Sequence, residues 1–203
     1  MHLGRGCGRI TRMNRALLII DVQNDFTEGD ALACEGGAKV ASDITEYLAA
    51  CRDEYALIAA SRDWHDADND NGGHFSDAPD FVDTWPVHCV ADTEGAAYHP
   101  ALNTDLIQMH VQKGMGRPDY SAFQGAVAGS DQLLANALSN ANVGALDIVG
   151  IATDHCVRAS ALDARAAGFD VRVIVPLTAA VSAEAASAAL DELRTAGVEV
   201  IEH

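Results

Sequence analysis

Short apolar runs alternate along this chain with stretches of helical periodicity, and that alternation restricts the fold more than any other feature of the sequence. Arg15-Ala-Leu-Leu-Ile-Ile20 is the first such run, followed by Tyr55–Ala60, Leu106–Val111, Ala145–Val149, Phe169–Val175 and Val198–Ile201. Between them, Ala38–Cys51 places Val40, Ile44, Leu48 and Cys51 at helical spacing, and further helices are expected over residues 131–140, after residue 154, and over Ala183–Thr195. Gly168 and Gly197 each follow a predicted helix, where a left-handed cap residue belongs. Six strands alternating with helices predict an α/β fold, three layers deep (αβα), with a six-stranded, mainly parallel sheet covered on both faces.

At 203 residues the chain has room for one domain with a sizeable core. Residues 15–203 are assigned to it, and the Gly- and Arg-rich residues 1–14 to a flexible N-terminal extension. Thirty acidic against thirteen basic residues give a formal net charge of −17, a field that repels phosphate backbones and argues against nucleic-acid binding. No apolar stretch of about 20 residues is present, so no membrane span is expected. Cys7, Cys34, Cys51, Cys89 and Cys156 form an odd, scattered set without a CxxC pair, which fits a reducing cytoplasm better than a disulfide framework. A homo-oligomer is neither required nor excluded by the sequence.

The segment Gly150-Ile-Ala-Thr-Asp-His-Cys156 joins a buried strand to a helix. It places Cys156 in the first helical turn, at the carboxyl edge of a parallel sheet, where ligands of such sheets bind. The helix N-terminus there favours thiolate over thiol, so Cys156 is a candidate nucleophile, although inert cysteines also occupy such junctions. Asp21 ends the first strand and is placed either to exchange a proton or to cap a turn. Lys113 follows the third strand. Three complementary groups on one sheet edge suggest a triad. The stretch between the second and third strands is too long for an ordinary crossover. It carries Asp63, His65, His74 and His88, one carboxylate and three imidazoles able to bind Zn, Fe or Mn if the loop folds back on itself. A solvated acidic loop carrying histidines is the plainer alternative.

Asp21-Val-Gln-Asn-Asp-Phe26, Lys113-Gly114 and Gly150–Cys156 together resemble the isochorismatase-like cysteine hydrolases, and Asp63-x-His65, His74-Phe-Ser76 and Trp85-Pro-Val-His-Cys89 resemble its nicotinamidase/pyrazinamidase branch. The resemblance covers the chain from about Arg15 onward. It implies the isochorismatase-like hydrolase fold, Asp21, Lys113 and Cys156 as catalytic residues, and Asp63, His65, His74 and His88 as ligands of one divalent metal. It implies an oxyanion hole from the backbone N–H groups of Ala152 and Cys156, with a cis Ile151–Ala152 peptide aiming the first. The implied reaction is hydrolysis of nicotinamide to nicotinate and ammonia through a cysteine thioester, a step of NAD salvage, with pyrazinamide accepted as an analogue. Phe26 and Trp85 are expected to sandwich the substrate ring, Leu32 and Tyr120 to line the pocket or the core, and His155 to sit at the rim. The His65–His74 gap is a few residues longer than the resemblance leads one to expect, through Asp68-Asn-Asp-Asn-Gly-Gly73. Three rival readings remain at this level. They are a sister hydrolase of another small amide, a metallohydrolase in which Cys156 is incidental, and a metal- or ligand-binding relative without catalysis.

Overall fold

In a computed structural model, residues 14–203 are described. The expected 1–14 extension therefore lies outside the described residues except for Asn14, which opens the first strand. The strands are β1 (Asn14–Ile20), β2 (Leu57–Asp63), β3 (Met109–Lys113), β4 (Ala126–Val127), β5 (Val143–Ile151), β6 (Asp170–Ala179) and β7 (Glu199–Ile201). The helices are α1 (Gly37–Cys51), α2 (Leu134–Asn140), α3 (Arg158–Ala166) and α4 (Ala183–Thr195). One sheet of order β4-β3-β2-β1-β5-β6-β7 forms, parallel throughout except for β4. The sheet thus has seven strands where six were expected: the two-residue β4 pairs antiparallel at the edge and is too short to leave a pattern in the sequence.

β1 alternates its side chains between two cores. Leu17 and Ile19 join Val40, Ile44 and Leu48 of α1 on one face. Ala16, Leu18 and Ile20 join Leu134 and Leu138 of α2, Ala161 and Ala164 of α3, and Leu193 of α4 on the other. Burial on both faces is why these strands are continuous apolar runs instead of alternating ones. Gly168 and Gly197 have φ of +92° and +81°, the left-handed geometry expected past a helix end. β6 is longer than its apolar run suggests. Its register with β5 jumps from Ile148↔Val173 to Gly150↔Thr178, and Pro176, which has no N–H to donate, lies in the intervening bulge.

In the middle of β5 lies a fully buried carboxylate, Asp147. Arg15 Nη1 donates to its Oδ1 at 2.6 Å, Arg172 Nε to Oδ1 at 2.7 Å, and Tyr55 Oη to Oδ2 at 2.7 Å. Burial opposes its charge, but the Arg172 and Tyr55 bonds and the Arg15 charge outweigh it and hold the pKa below the usual carboxylate value. Removing the carboxylate strands a buried hydroxyl and two guanidinium groups that reach water only in part. Asp147→Ala is expected to cost about 3 kcal/mol at neutral pH. A carboxyl with a depressed folded pKa contributes stability above its unfolded pKa of about 3.9 and loses it as the pH falls toward the folded value. The stability gap between the parent and Asp147→Ala, measured by urea unfolding, should therefore be constant at neutral pH and shrink below about pH 4.

Candidate active site

Four strands end at the carboxyl edge of the sheet with a polar residue that the fold buries. Asp21 follows β1 with φ of +45°, Asp63 and Lys113 are the last residues of β2 and β3, and Cys156 lies just after β5. All four are buried. β2 and β3 place Asp63 directly beside Lys113 in register. Lys113 Nζ then reaches three groups: it bonds Asp63 Oδ1, lies 3.0 Å from Asp21 Oδ2, and lies 3.7 Å from Cys156 Sγ. Asp21, Asp63 and Cys156 each bring an atom within 4.8 Å of the others. Lys113 is thus buried at the junction of both carboxylates and the thiol.

β5 ends in a cis peptide between Ile151 and Ala152. The chain then makes a wide turn over Thr153–Val157, with Val157 N–H donating to Ala152 O at 3.0 Å, before α3 begins. Cys156 thus sits in a π-type turn one residue wider than an α-helix. Asp154 ties this turn to the β6–α4 loop, its carboxylate accepting from the N–H groups of Val181 and Ser182 at 3.0 and 3.2 Å.

Charge follows from burial. Desolvation pushes the Cys156 thiol well above its ordinary pKa, and the Lys113 charge offsets this only in part. Burial thus works against the thiolate that a helix N-terminus favours, and a base placed to take the thiol proton offsets that cost. Burial likewise raises the Asp21 pKa, against the pull of Lys113. A raised carboxyl pKa makes Asp21 a stronger proton acceptor than an exposed aspartate. Burial opposes the charge on Lys113, but Asp21 and Asp63 outweigh it and keep the ammonium protonated. Ser61 Oγ donates to Asp21 Oδ1 at 2.7 Å and leaves Oδ2 toward Lys113, a partner that only the fold reveals, because Ser61 lies forty residues away on β2.

The long loop after β2 folds back so that His65, His74 and His88, all buried, bring ring nitrogens within 4.8 Å of one another. His65 Nδ1 is 2.8 Å from Gly114 O and His88 Nδ1 is 2.8 Å from Pro86 O. In each, Nδ1–H donates to the carbonyl, which leaves Nε2 as the ring nitrogen on the side of Asp63. These Nε2 atoms lie 3.8 and 4.0 Å from Asp63 Oδ2. His65 Nε2 and His74 Nδ1 are buried without a hydrogen-bond partner. Burial lowers the pKa of His74 to about 3, with the other two histidines adding to the effect, and that of His88 to about 4, against the pull of Asp63. Buried imidazoles with partnerless ring nitrogens beside a carboxylate have the chemistry of a divalent transition-metal site. The three histidines are buried although much of the loop that carries them, including residues 67–70 and 80–83, is exposed.

The inserted stretch folds onto itself. Asn71, fully buried, accepts from Asp66 N–H at 2.9 Å and from Gly116 N–H at 3.1 Å, and donates to Asp66 O at 3.0 Å.

A cavity of about 280 Å³ opens between the thiol and the histidines. Cys156, Ala152, Asp63, His74 and His88 reach its wall, together with Phe26, Leu32, Trp85, Tyr120 and His155. Phe26 and Trp85, expected to flank a ring, Leu32 and Tyr120, expected in the pocket or the core, and His155, expected at the rim, are thus all part of the lining. Trp85 Nε1 donates to Tyr120 Oη at 2.8 Å, and the Trp85 ring meets His155 edge-on at 5.3 Å. Phe26 lies 5.6 Å from the His88 ring. Asp21, Lys113 and His65 stand behind the wall. Phe81 and Val181 also line the cavity, although both are more than half exposed. No periodicity distinguishes them from other loop residues.

The family model described as Isochorismatase domain matches residues 15–203. The chain is 49% identical over 187 residues to the nicotinamidase/pyrazinamidase of Mycobacterium tuberculosis, covering 92% of this chain and 98% of that protein. The pyrazinamidase of Pyrococcus horikoshii, solved in complex with zinc, superimposes with a TM-score of 0.76 at 33% identity, covering 94% of this chain and 99% of that one. A protein of L. infantum solved with nicotinate gives a TM-score of 0.79 at 31% identity, over 94% and 93% of the two chains.

Proposed function

The chain belongs to the isochorismatase family, and from this premise we propose that it is a nicotinamidase, hydrolysing nicotinamide to nicotinate and ammonia with Cys156 as nucleophile. The observation that carries the reading is the position of Lys113 Nζ, in reach of Asp21, Asp63 and Cys156 at once. It joins a thiol–carboxylate pair to the histidine cluster within one apolar-walled cavity.

Asp21 takes the Cys156 proton as Sγ attacks the amide carbon. Lys113 holds Asp21 in place and offsets the negative charge that appears as sulfur becomes nucleophilic. The carbonyl electrons move to oxygen, where the N–H groups of Ala152 and Cys156 are the donors assigned to the oxyanion. The oxyanion collapses, the C–N bond breaks, and Asp21 returns the proton to the departing ammonia. Water then attacks the thioester with Asp21 as base, the C–S bond breaks, and the sulfur regains a proton as nicotinate leaves. Asp63, His65, His74 and His88 would hold the metal, which when bound supplies an electrophilic anchor for the pyridine nitrogen, directly or through water. Phe26 and Trp85 flank the ring, and orientation by these groups replaces the entropy cost of finding the attack geometry. Zn, Fe and Mn all suit the ligand set. Pyrazinamide, with a ring nitrogen and a carboxamide, fits the same arrangement. We place this activity in NAD salvage in the cytoplasm, consistent with the free cysteines at positions 34, 51, 89 and 156 and with the lack, among the described residues, of a helix long and apolar enough to cross a membrane.

The test is ammonia release from nicotinamide by the metal-loaded protein, with metal content followed by elemental analysis. The parent should release ammonia and carry metal. His65→Ala should lose metal and raise KM at least about tenfold, because ring orientation is lost. A metal-loaded parent that releases no ammonia overturns the activity, and unchanged metal content in His65→Ala overturns the ligand assignment.

A further inference from the structure

Gln23 is fully buried two residues beyond Asp21, and the mechanism above gives it no role. Its three hydrogen bonds point to one. The side-chain Oε1 accepts from Asp63 N–H at 2.8 Å, and Nε2 donates to Asp63 O at 2.9 Å and to Ala96 O at 3.0 Å. The backbone ladder between β1 and β2 runs only to Ile19↔Ala60, with one further bond from Asp21 N–H to Ser61 O. Beyond it the left-handed turn at Asp21 carries the chain away from β2. Trp64 donates to Lys113 O on the β3 side, so Asp63 presents its own N–H and C=O toward the place that β1 has left. The Gln23 amide fills that place and binds both, taking the part of the two β1 residues that a continued parallel ladder would have used.

Asp63 is held there while its carboxylate divides between two tasks, Oδ1 on Lys113 and Oδ2 toward the Nε2 atoms of His65 and His88. A buried backbone with its N–H and C=O both bound cannot rotate to re-aim its side chain. Gln23 also ties Asp63 to Ala96, and it bridges Tyr98 in the same segment by its own backbone.

We propose that Gln23 is a metal-positioning residue: its side chain extends the β1–β2 ladder by hydrogen bonds and so fixes the Asp63 carboxylate in the geometry that a divalent cation needs. The proposal rests on the reading of Asp63, His65, His74 and His88 as metal ligands.

The experiment measures zinc affinity of the full chain by chelator competition, together with metal-free melting temperature, circular dichroism and steady-state kinetics with nicotinamide. Gln23→Met keeps the buried volume and removes all three bonds. Gln23→Glu keeps the chain length and the acceptor for Asp63 N–H. The expected result is zinc affinity weakened about 10- to 100-fold in Gln23→Met, and by less in Gln23→Glu. In Gln23→Met, KM should rise more than kcat falls, and excess zinc should restore KM. A residue that only supported the fold would lower the metal-free melting temperature and leave zinc affinity within about twofold of the parent in whichever variant folds; that result overturns the proposal. A parent that binds no zinc, iron or manganese overturns the reading of the site itself and is told apart by the parent measurement alone.

Discussion

Cys156→Ala should retain the fold and the metal while losing about 10⁴-fold or more of the amidase activity. The substitution removes one buried sulfur from a turn whose other bonds, from Val157 N–H to Ala152 O and from Asp154 to the β6–α4 loop, do not involve it. What disappears is the atom that forms the acyl-enzyme. Asp21, Lys113 and the histidines all remain, so a metal-bound hydroxide would still have its ligands and a base beside it. Surviving activity near the parent level would therefore sink the thioester mechanism and promote the metal to the source of the nucleophile. Rapid acid quench and intact-mass measurement give a positive version of the test: the parent should show a nicotinoyl adduct during turnover, and the variant none.

Gly150→Ala is expected to be the most damaging single substitution for stability. Gly150 has φ of +113°, where L side chains are strained, and a Cβ there would fall 2.1 Å from Ile20 O and 2.7 Å from Ile20 N. Both atoms are main chain in β1, so no rotamer change relieves the clash. β1 and β5 would have to separate at the point where Asp21 leaves one and the Ile151–Ala152 peptide leaves the other. Backbone strain together with the broken strand contact should cost about 4 kcal/mol or more. For a chain of this size that corresponds to a fall in melting temperature of roughly 8–16 °C. Any folded fraction should be nearly inactive, since the spacing of Asp21 and Cys156 depends on the same contact. A variant melting within about 2 °C of the parent, with normal kcat, would show that the close approach is not needed.

The sheet was legible because its strands are buried on both faces and therefore uniformly apolar, and Ala183–Thr195 forms the helix its pattern describes, with the same ends. Edges were less legible. β2 begins two residues later than its apolar run and extends through Ser61 to Asp63, because pairing with β3 continues into the polar residues of the site. The residues named as triad and metal ligands are those the structure brings together. Their supports were not readable. Ser61 and Gln23 are ordinary polar residues whose partners lie forty positions away, and nothing in local spacing connects them. The environment of the thiol was only half legible for a related reason: a helix terminus is visible in the sequence, whereas the burial of Cys156 is set by the cavity wall that several loops build.

The knot of bonds around Asn71 bears on how this region tolerates change. Asp66, Asn69 and Gly116 are all bound by one buried amide, and Phe75 N–H, next to His74, donates to Asp70 O, which makes the stretch from 66 to 73 a closed coil tied to the chain beside both imidazoles. His65 takes its position from Gly114 and from its pairing with Cys89 and Ala91; His74 joins the cluster after the coil has ended. A change of length in the coil is therefore expected to be tolerated only where the bonds of Asn71 and Asp70 survive, because these, more than the number of residues, set the path from one imidazole to the next.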